Sequence, residues 1–401
     1  MRHILFVDDE PNILAGLERL LFPFQREWRM FFVSSGAKAL ELLETQHCDI
    51  VVSDMRMPRM DGAALLAEIK KRHPDTLRFV LSGQSDSETV YRSVGEAHQF
   101  LSKPCKPQVL KECIDKAFAL RDLLNSDTMK KLVGQLGSLP SVPHVYRKIC
   151  EQLQSPDASI AAVGQIIETD PAMTAKILQL VNSAFFGLRR QVSTATQAAS
   201  LLGLDTLKAL LLLTGLFSPM ENKRPAAGFS IETLWKHSTI VGTSAQAICK
   251  DMAASSEILN DVYTAGLLHD AGMLLLAVNR PEEYEHIRDY AGANDLPMSD
   301  AEKLILGCCH AEIGAYLLGI WGLPDRVVEA VAYHHRPSES PGASFGALTA
   351  VHAADAFADN HQGEGTVSVR IDMGYIQHLG LQEQLTGWAN ICTTIGSQNT
   401  E

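Results

Sequence analysis

The run "CDIVVSD" (residues 48–54) sets three β-branched side chains in a row and ends on an acid. Ile50, Val51 and Val52 suit a strand buried on both faces. The proline in "MRMPRM" stops that strand, and "GAALLAEIKKR" (62–72) then carries apolar residues at helical spacing. The same strand–helix alternation runs outward in both directions. "HILFVDD" (3–9), "RMFFVSS" (29–35), "RFVLSG" (78–83) and "QFLSKP" (99–104) read as four further strands, and "GAKALELLETQ" (36–46) as another helix. Five strands alternating with helices predict a doubly wound, parallel five-stranded α/β sheet covered on both faces.

In such sheets ligands sit at the carboxyl ends of the strands. The polar residues fall there: Asp8 and Asp9 after the first strand, Asp54 at the third, Ser82 at the fourth and Lys103 at the fifth. Three carboxylates in one crevice repel each other unless a divalent cation joins them, and hard oxygen ligands with room for water suit Mg²⁺. With a hydroxyl and an ammonium added, the pocket can hold a phosphoryl group on a carboxylate. A solvated acidic rim would leave the serine and the lysine unexplained.

Composition narrows the rest. A chain of 401 residues is long enough for two or three domains with real cores. The net charge of -12 argues against wholesale binding to nucleic acid or to an anionic membrane. "MRHILFVDDE" lacks the apolar core of a signal peptide, and the most apolar stretch, "ALLLLTGLF" (209–217), is too short to span a bilayer. The eight cysteines show no CxxC spacing and read as free thiols, Cys308 and Cys309 beside His310 included. A soluble, cytoplasmic protein is expected.

Residues 1–122 resemble a response-regulator receiver domain, through "VDDEPN", "VVSDMRMPRMDG", "LSG" and "FLSKP" in order. The resemblance implies that Asp54 is the phosphoacceptor. It also implies that Asp9, Asp54 and the backbone carbonyl of Arg56 bind Mg²⁺, with Asp8 supporting the ion through water. Ser82 and Lys103 would contact the phosphoryl group, and Phe100 stands where a switch aromatic turns inward on phosphorylation. A sensor histidine kinase would be the phosphodonor.

Beyond Pro104, "VLKECIDKAFALRDLLNSDTMKKLVGQL" (109–136) has helical spacing, so 123–136 is read as a helical linker that "GSLPSVP" (137–143) breaks. After it strands almost vanish and short helical patterns follow one another. The 137–360 stretch resembles the HDOD family, the HD-related output domain, through "LPSVP", "IIETDPAMTAKILQLVNSAFFG", "LLGLDTLKALLLL", "LWKHS", "GLLHDAG", "HAEIGAYLLGIWGLP" and "HH". An all-α, HD-like domain is therefore expected, with 361–401 a C-terminal extension of uncertain fold. HDOD domains are relatives of the HD metallophosphohydrolases in which the metal ligands are often lost.

This copy keeps a full series: His237, His269, Asp270, His310, His334, His335 and Asp355. It resembles the ligand set of the two-metal HD-GYP branch. Any one of these histidines alone is more often a hydrogen-bonded core residue than a ligand. Together they are a different matter, because a buried ionised Asp270 costs several kcal/mol unless paired. Imidazoles with a bridging carboxylate suit Fe, Mn or another first-row transition metal. The HD-GYP pattern fails elsewhere: Met273 stands where a lysine is expected, Thr233 where a glutamate would serve a third metal, and no Gly-Tyr-Pro follows His335. The departures weigh against cyclic di-GMP hydrolysis more than against a metal.

The leading expectation is a phosphorylation-controlled regulator whose HDOD half binds an unidentified downstream signalling protein, with a homodimer left open. A metal-dependent phosphodiesterase or phosphohydrolase switched by the receiver is the alternative. A DNA-binding factor is disfavoured by the acidic charge and the lack of a recognition helix.

Overall fold

The computed structural model describes residues 2–82, 96–123, 130, 133, 148–149, 152, 159–182, 191–203, 225–342, 344–359 and 371–398. Most of the expected linker, its "GSLPSVP" break and the 209–217 apolar stretch lie outside the described residues.

The N-terminal sheet has five parallel strands in the order β2-β1-β3-β4-β5. These are β1 (Arg2–Val7), β2 (Trp28–Val33), β3 (Ile50–Asp54), β4 (Leu77–Ser82) and β5 (Gln99–Ser102). Every residue of β3 and β4 is buried, as strands covered on both faces require. Helices α1 (Pro11–Leu21), α2 (Gly36–Thr45), α3 (Gly62–Arg72) and α4 (Pro107–Leu123) flank the sheet. Local chemistry sets the starts of α2 and α3: Ser35 accepts from the Lys38 amide and Asp61 from the Ala64 amide.

The rest is helical: α5 (Ile160–Glu168), α6 (Pro171–Asn182), α7 (Ile231–Asp251), α8 (Ser256–Leu268), α9 (Ala271–Asn279), α10 (Pro281–Asn294), α11 (Met298–Leu306), α12 (His310–Ile320), α13 (Asp325–Tyr333), α14 (Ala347–Asp359), α15 (Met373–His378) and α16 (Leu385–Gln398). The long α7 packs along α8, α14 and α16. The α7–α8 crossing is close, since a Cβ added to Gly266 would lie 2.6 Å from the Gly242 Cα. The C-terminal residues 371–398, unplaced by sequence, complete this domain. Trp388 of α16 is fully buried, and His352 of α14 accepts from the Asp372 amide at 2.9 Å. Among the described residues one stretch, Ser256–Asn279, is long and apolar enough to cross a bilayer, and it lies buried among the other helices.

The two halves touch. Helix α4 packs against α12. Gln99 of β5 donates to the Ile320 carbonyl at 2.8 Å, Gln179 of α6 reaches the Ala97 and His98 carbonyls, and Lys116 pairs with Asp325.

Candidate functional site

Two acidic clusters stand out, one in each half. At the carboxyl ends of the strands, Asp8 and Asp54 are buried and share one counter-ion. Lys103 Nζ contacts Asp54 Oδ1 and lies 2.7 Å from Asp8 Oδ2. The Arg56 amide donates to Asp54 Oδ2 at 3.0 Å, and the Glu10 amide to Asp8 Oδ1 at 3.0 Å. Burial raises the Asp54 carboxyl above its ordinary range despite the lysine beside it. Burial also disfavours charge on Lys103, but the bonds to Asp54 and Asp8 outweigh it and hold the ammonium above its ordinary value. Asp9 follows at the half-exposed rim, and Ser82 is buried, its carbonyl accepting the Lys103 amide at 2.8 Å. Phe100 is fully buried in the sheet core. Gly62 explains its own place in "MRMPRMDG": a Cβ there would overlap the Asp54 carbonyl oxygen, while its amide donates to the Met55 carbonyl at 2.9 Å.

The second cluster lies inside the helical domain, drawn from α7, the α8–α9 junction, α12, the end of α13 and α14. "GLLHDAGMLLL" (266–276) is not one continuous helix. The chain turns at His269 and Asp270, between α8 and α9, so both side chains project into the core from a break. Gly272 permits the next step, because a Cβ there would overlap the His310 carbonyl oxygen. Its absence brings α9 against the first turn of α12 and sets Asp270 beside His310.

All seven candidate ligands converge in two groups, Asp270–His310–His334–His335 and His237–His269–Asp355, with donor atoms in each within 4.8 Å of one another. Asp270 lies between them. Its Oδ1 is 3.2 Å from His310 Nε2 and 3.9 Å from His334 Nε2, while its Oδ2 is 3.3 Å from His269 Nε2 and 3.9 Å from His237 Nε2. Asp355 Oδ1 is 3.1 Å from His237 Nε2 and 3.4 Å from His269 Nε2. Donors bound to one ion at about 2.1 Å stand roughly 3–4 Å apart, so the spacing fits first-row metal coordination.

The tautomers support the same fit. The Gly266 carbonyl lies 2.7 Å from His269 Nδ1 and the Val331 carbonyl 2.8 Å from His334 Nδ1. Nδ1 of each ring therefore donates to the backbone, and Nε2 is the nitrogen each ring presents to the cluster. Both Nε2 atoms are buried without a hydrogen-bond partner, as is Asp355 Oδ2. Orphaned buried acceptors carry a penalty of about 1–3 kcal/mol each, which a cation would remove. His335 Nε2 and His310 Nε2 lie 2.8 Å apart and share a hydrogen bond.

The electrostatics place protons where a cation would otherwise sit. Burial opposes charge on His269 and His310, but Asp270 against the first and Glu302 with Asp270 against the second hold both well above the ordinary imidazole range. Against a burial effect of opposite sign, the histidines hold Asp270 and Asp355 well below the usual carboxylate range. Burial and the His269 charge push His334 down to about 3, and burial, with the neighbouring imidazoles adding to it, pushes His335 down too, so both rings stay neutral.

Two functional neighbours escape a reading of the sequence. Glu302 of α11 is fully buried, and its Oε2 accepts from the His310 amide at 2.8 Å and sits 2.6 Å from His310 Nδ1. This carboxylate–imidazole pair orients the ring toward Asp270. His352 sits behind the site, its Nδ1 donating to the His334 carbonyl at 2.6 Å. Cys308 and Cys309 belong to neither group, and burial raises both thiols, Cys308 to about 12. Thr233 is exposed on α7 and Met273 is half-buried on α9.

Comparison with known proteins agrees with this architecture. The response regulator receiver domain family matches residues 4–115 and the HDOD domain family residues 139–337. An uncharacterized protein of Treponema pallidum is 24% identical over 257 residues, 63% of this chain and 47% of that protein. The hydrogenase transcriptional regulatory protein HoxA of Cupriavidus necator is 35% identical over 122 residues, 30% of this chain and 25% of HoxA. The chain thus spans less than half the length of either relative. The crystal structure of the MmoQ response regulator from Methylococcus capsulatus aligns with a TM-score of 0.48 at 26% identity, covering 64% of this chain and 93% of that one. The chain belongs to the two-component response regulators, as a receiver domain joined to an HDOD domain.

Proposed function

We propose that this chain is a cytoplasmic, phosphorylation-controlled response regulator whose HDOD half is a protein-binding signalling output built around a transition-metal centre. On this reading a sensor histidine kinase donates the phosphoryl group to an Asp54 oxygen. Asp9, Asp54 and the Arg56 carbonyl hold Mg²⁺, with Asp8 behind them, while Ser82 and Lys103 meet the phosphoryl oxygens. The centre takes Fe, Mn or a similar ion at each ligand group, with Asp270 between them, and its role is structural or sensory.

The observation that carries the reading is Asp270 set between two groups of histidines, each holding one ring, His269 or His334, with a buried, unpartnered Nε2. Elemental analysis of protein purified without chelators tests it. Wild type should carry stoichiometric transition metal, and Asp270→Ala should lose most of it and melt at lower temperature. A metal-free wild type whose melting is unmoved by Mn²⁺, Fe²⁺ or Zn²⁺ would refute it.

One feature favours a hydrolase as the second reading. A cavity of about 220 Å³ reaches His335, lined also by Ser299, Lys303, Cys309, Tyr333 and Arg336. A metal there would supply an activated water. The cations in its wall are already engaged, Lys303 with Glu312 at 3.0 Å and Arg336 with Asp300 at 2.6 Å, so little is left to hold a cyclic dinucleotide's phosphates. A screen of phosphodiesters and nucleotides separates the readings: metal-dependent turnover that Asp270→Ala abolishes would make the hydrolase the better one.

A further inference from the structure

One helix touches both halves of the molecule. Its first residue, His310, belongs to the HD-type cluster, and its last, Ile320, offers its carbonyl to the receiver. Of the eleven residues of α12, ten are buried, so it is wedged in the core along its whole length of about 16 Å. Tight packing of this kind passes a displacement on rather than absorbing it.

The receiver holds the far end of α12 through two elements. Gln99 caps it, donating to an end carbonyl that has no partner within the helix. Leu120 of α4 fills the space over Gly319, where an added Cβ would collide with its side chain. Lys116 pairs with Asp325 just beyond. Gln99 is also the first residue of β5, a strand of four residues, and Lys103 follows its last. Lys103 is the group bonded to Asp54 and Asp8. One short strand therefore has the phosphoacceptor's counter-ion at one end and the cap of α12 at the other.

We infer that the receiver and the HD-type centre are thermodynamically coupled through β5 and α12, so that a phosphoryl mimic at Asp54 and a metal at the histidine cluster change each other's affinity by one common factor. The inference rests on the metal reading above. On this proposal Lys103 shifts from Asp54 and Asp8 toward an arriving phosphoryl oxygen, and β5 carries the shift to Gln99. The gathered ligand set belongs, on the same proposal, to the state in which Lys103 holds Asp54, so that phosphorylation weakens metal binding and metal binding weakens the mimic. Coupling between sites is typically about 5–150-fold, and the reciprocity is obligatory.

The test uses the full chain with beryllofluoride as the phosphoryl mimic, at one fixed Mg²⁺ concentration throughout. Mn²⁺ is titrated with and without the mimic, and hydrogen exchange of the 310–320 amides is followed under the same conditions. Beryllofluoride should weaken Mn²⁺ binding about tenfold, and saturating Mn²⁺ should weaken the mimic by the same factor. Gln99→Ala should shrink both effects toward unity, and Asp54→Asn should remove the response. Amide exchange in α12 should rise with the mimic in wild type and less in Gln99→Ala. Mn²⁺ binding that ignores the mimic, with α12 exchange unchanged, overturns the coupling and leaves the metal reading intact. Absence of Mn²⁺ binding, with α12 exchange still responding, refutes the metal reading and supports the mechanical link. Silence in both overturns both.

Discussion

The two acidic clusters solve one problem with different chemistry. Each buries a pair of aspartates, and each depends on a glycine whose missing Cβ lets another segment reach the acid. Gly62 lies against the Asp54 carbonyl, and Gly272 against that of His310. They differ in the counter-charge. The receiver uses one partly exposed lysine on a long aliphatic stem, bonded to both acids. The helical domain uses imidazoles locked by backbone carbonyls deep in the core. A mobile permanent cation suits a transient ligand, whereas fixed rings that shed protons suit a resident ion.

The sharpest way to break the receiver side of this contrast is Asp54→Asn. It should abolish labelling by acetyl phosphate with Mg²⁺ altogether, read by mass spectrometry of the intact chain. Full labelling of the variant would place the acceptor elsewhere.

On the other side, fixed rings imply that their supports matter. Glu302→Gln keeps the shape but removes the charge behind His310, and loss of such a partner typically costs about 10–100-fold in metal affinity. A competition titration against a chelator measures this. Unchanged affinity would reduce Glu302 to a packing role.

A smaller effect concerns a third buried charge, at the domain contact. Lys176 of α6 lies 5.2 Å over the Trp321 ring, and burial, with Lys70 nearby, lowers it to about 7 while Glu96 opposes. Unfolded, the lysine titrates near 10.4. Between these values the unfolded chain binds the extra proton, so this group makes stability rise with pH from about 7 to about 10. Lys176→Met should remove that rise. Its stability gain over wild type should be roughly 2 kcal/mol larger at pH 7 than at pH 9, at about 1.4 kcal/mol per unit. A gain independent of pH would mean the ammonium is not held down by burial.

Much of the receiver could be read from sequence because its signals are local. Strand runs end on the acids they position, and β1, β3, β4 and β5 fall within one or two residues of the expected segments. The seven HD-type residues were legible as a set only through their order, which resembles the HD-GYP ligand series, since His237 lies mid-helix between Lys236 and Ser238 with no local mark. Glu302 was harder. It occupies an apolar slot in the stripe Met298, Ala301, Ile305, and an acid in a core position was the signal. The C-terminal helices were hidden by their Gly-rich approach, since what holds them is tertiary: Trp388 in the core and Asp372 on His352. The domain contact left no local trace, because Gln99 and Ile320 are 221 residues apart.

Metal stoichiometry in single-ligand variants bears most directly on the Asp270-centred pair of sites. Ions bound per chain should be counted by elemental analysis after Mn²⁺ or Fe²⁺ loading and desalting. Wild type should hold two, Asp355→Ala about one, retained by the Asp270, His310, His334 and His335 group, and Asp270→Ala almost none. Two ions surviving in Asp270→Ala, or none in a folded wild type, would contradict the two-site centre.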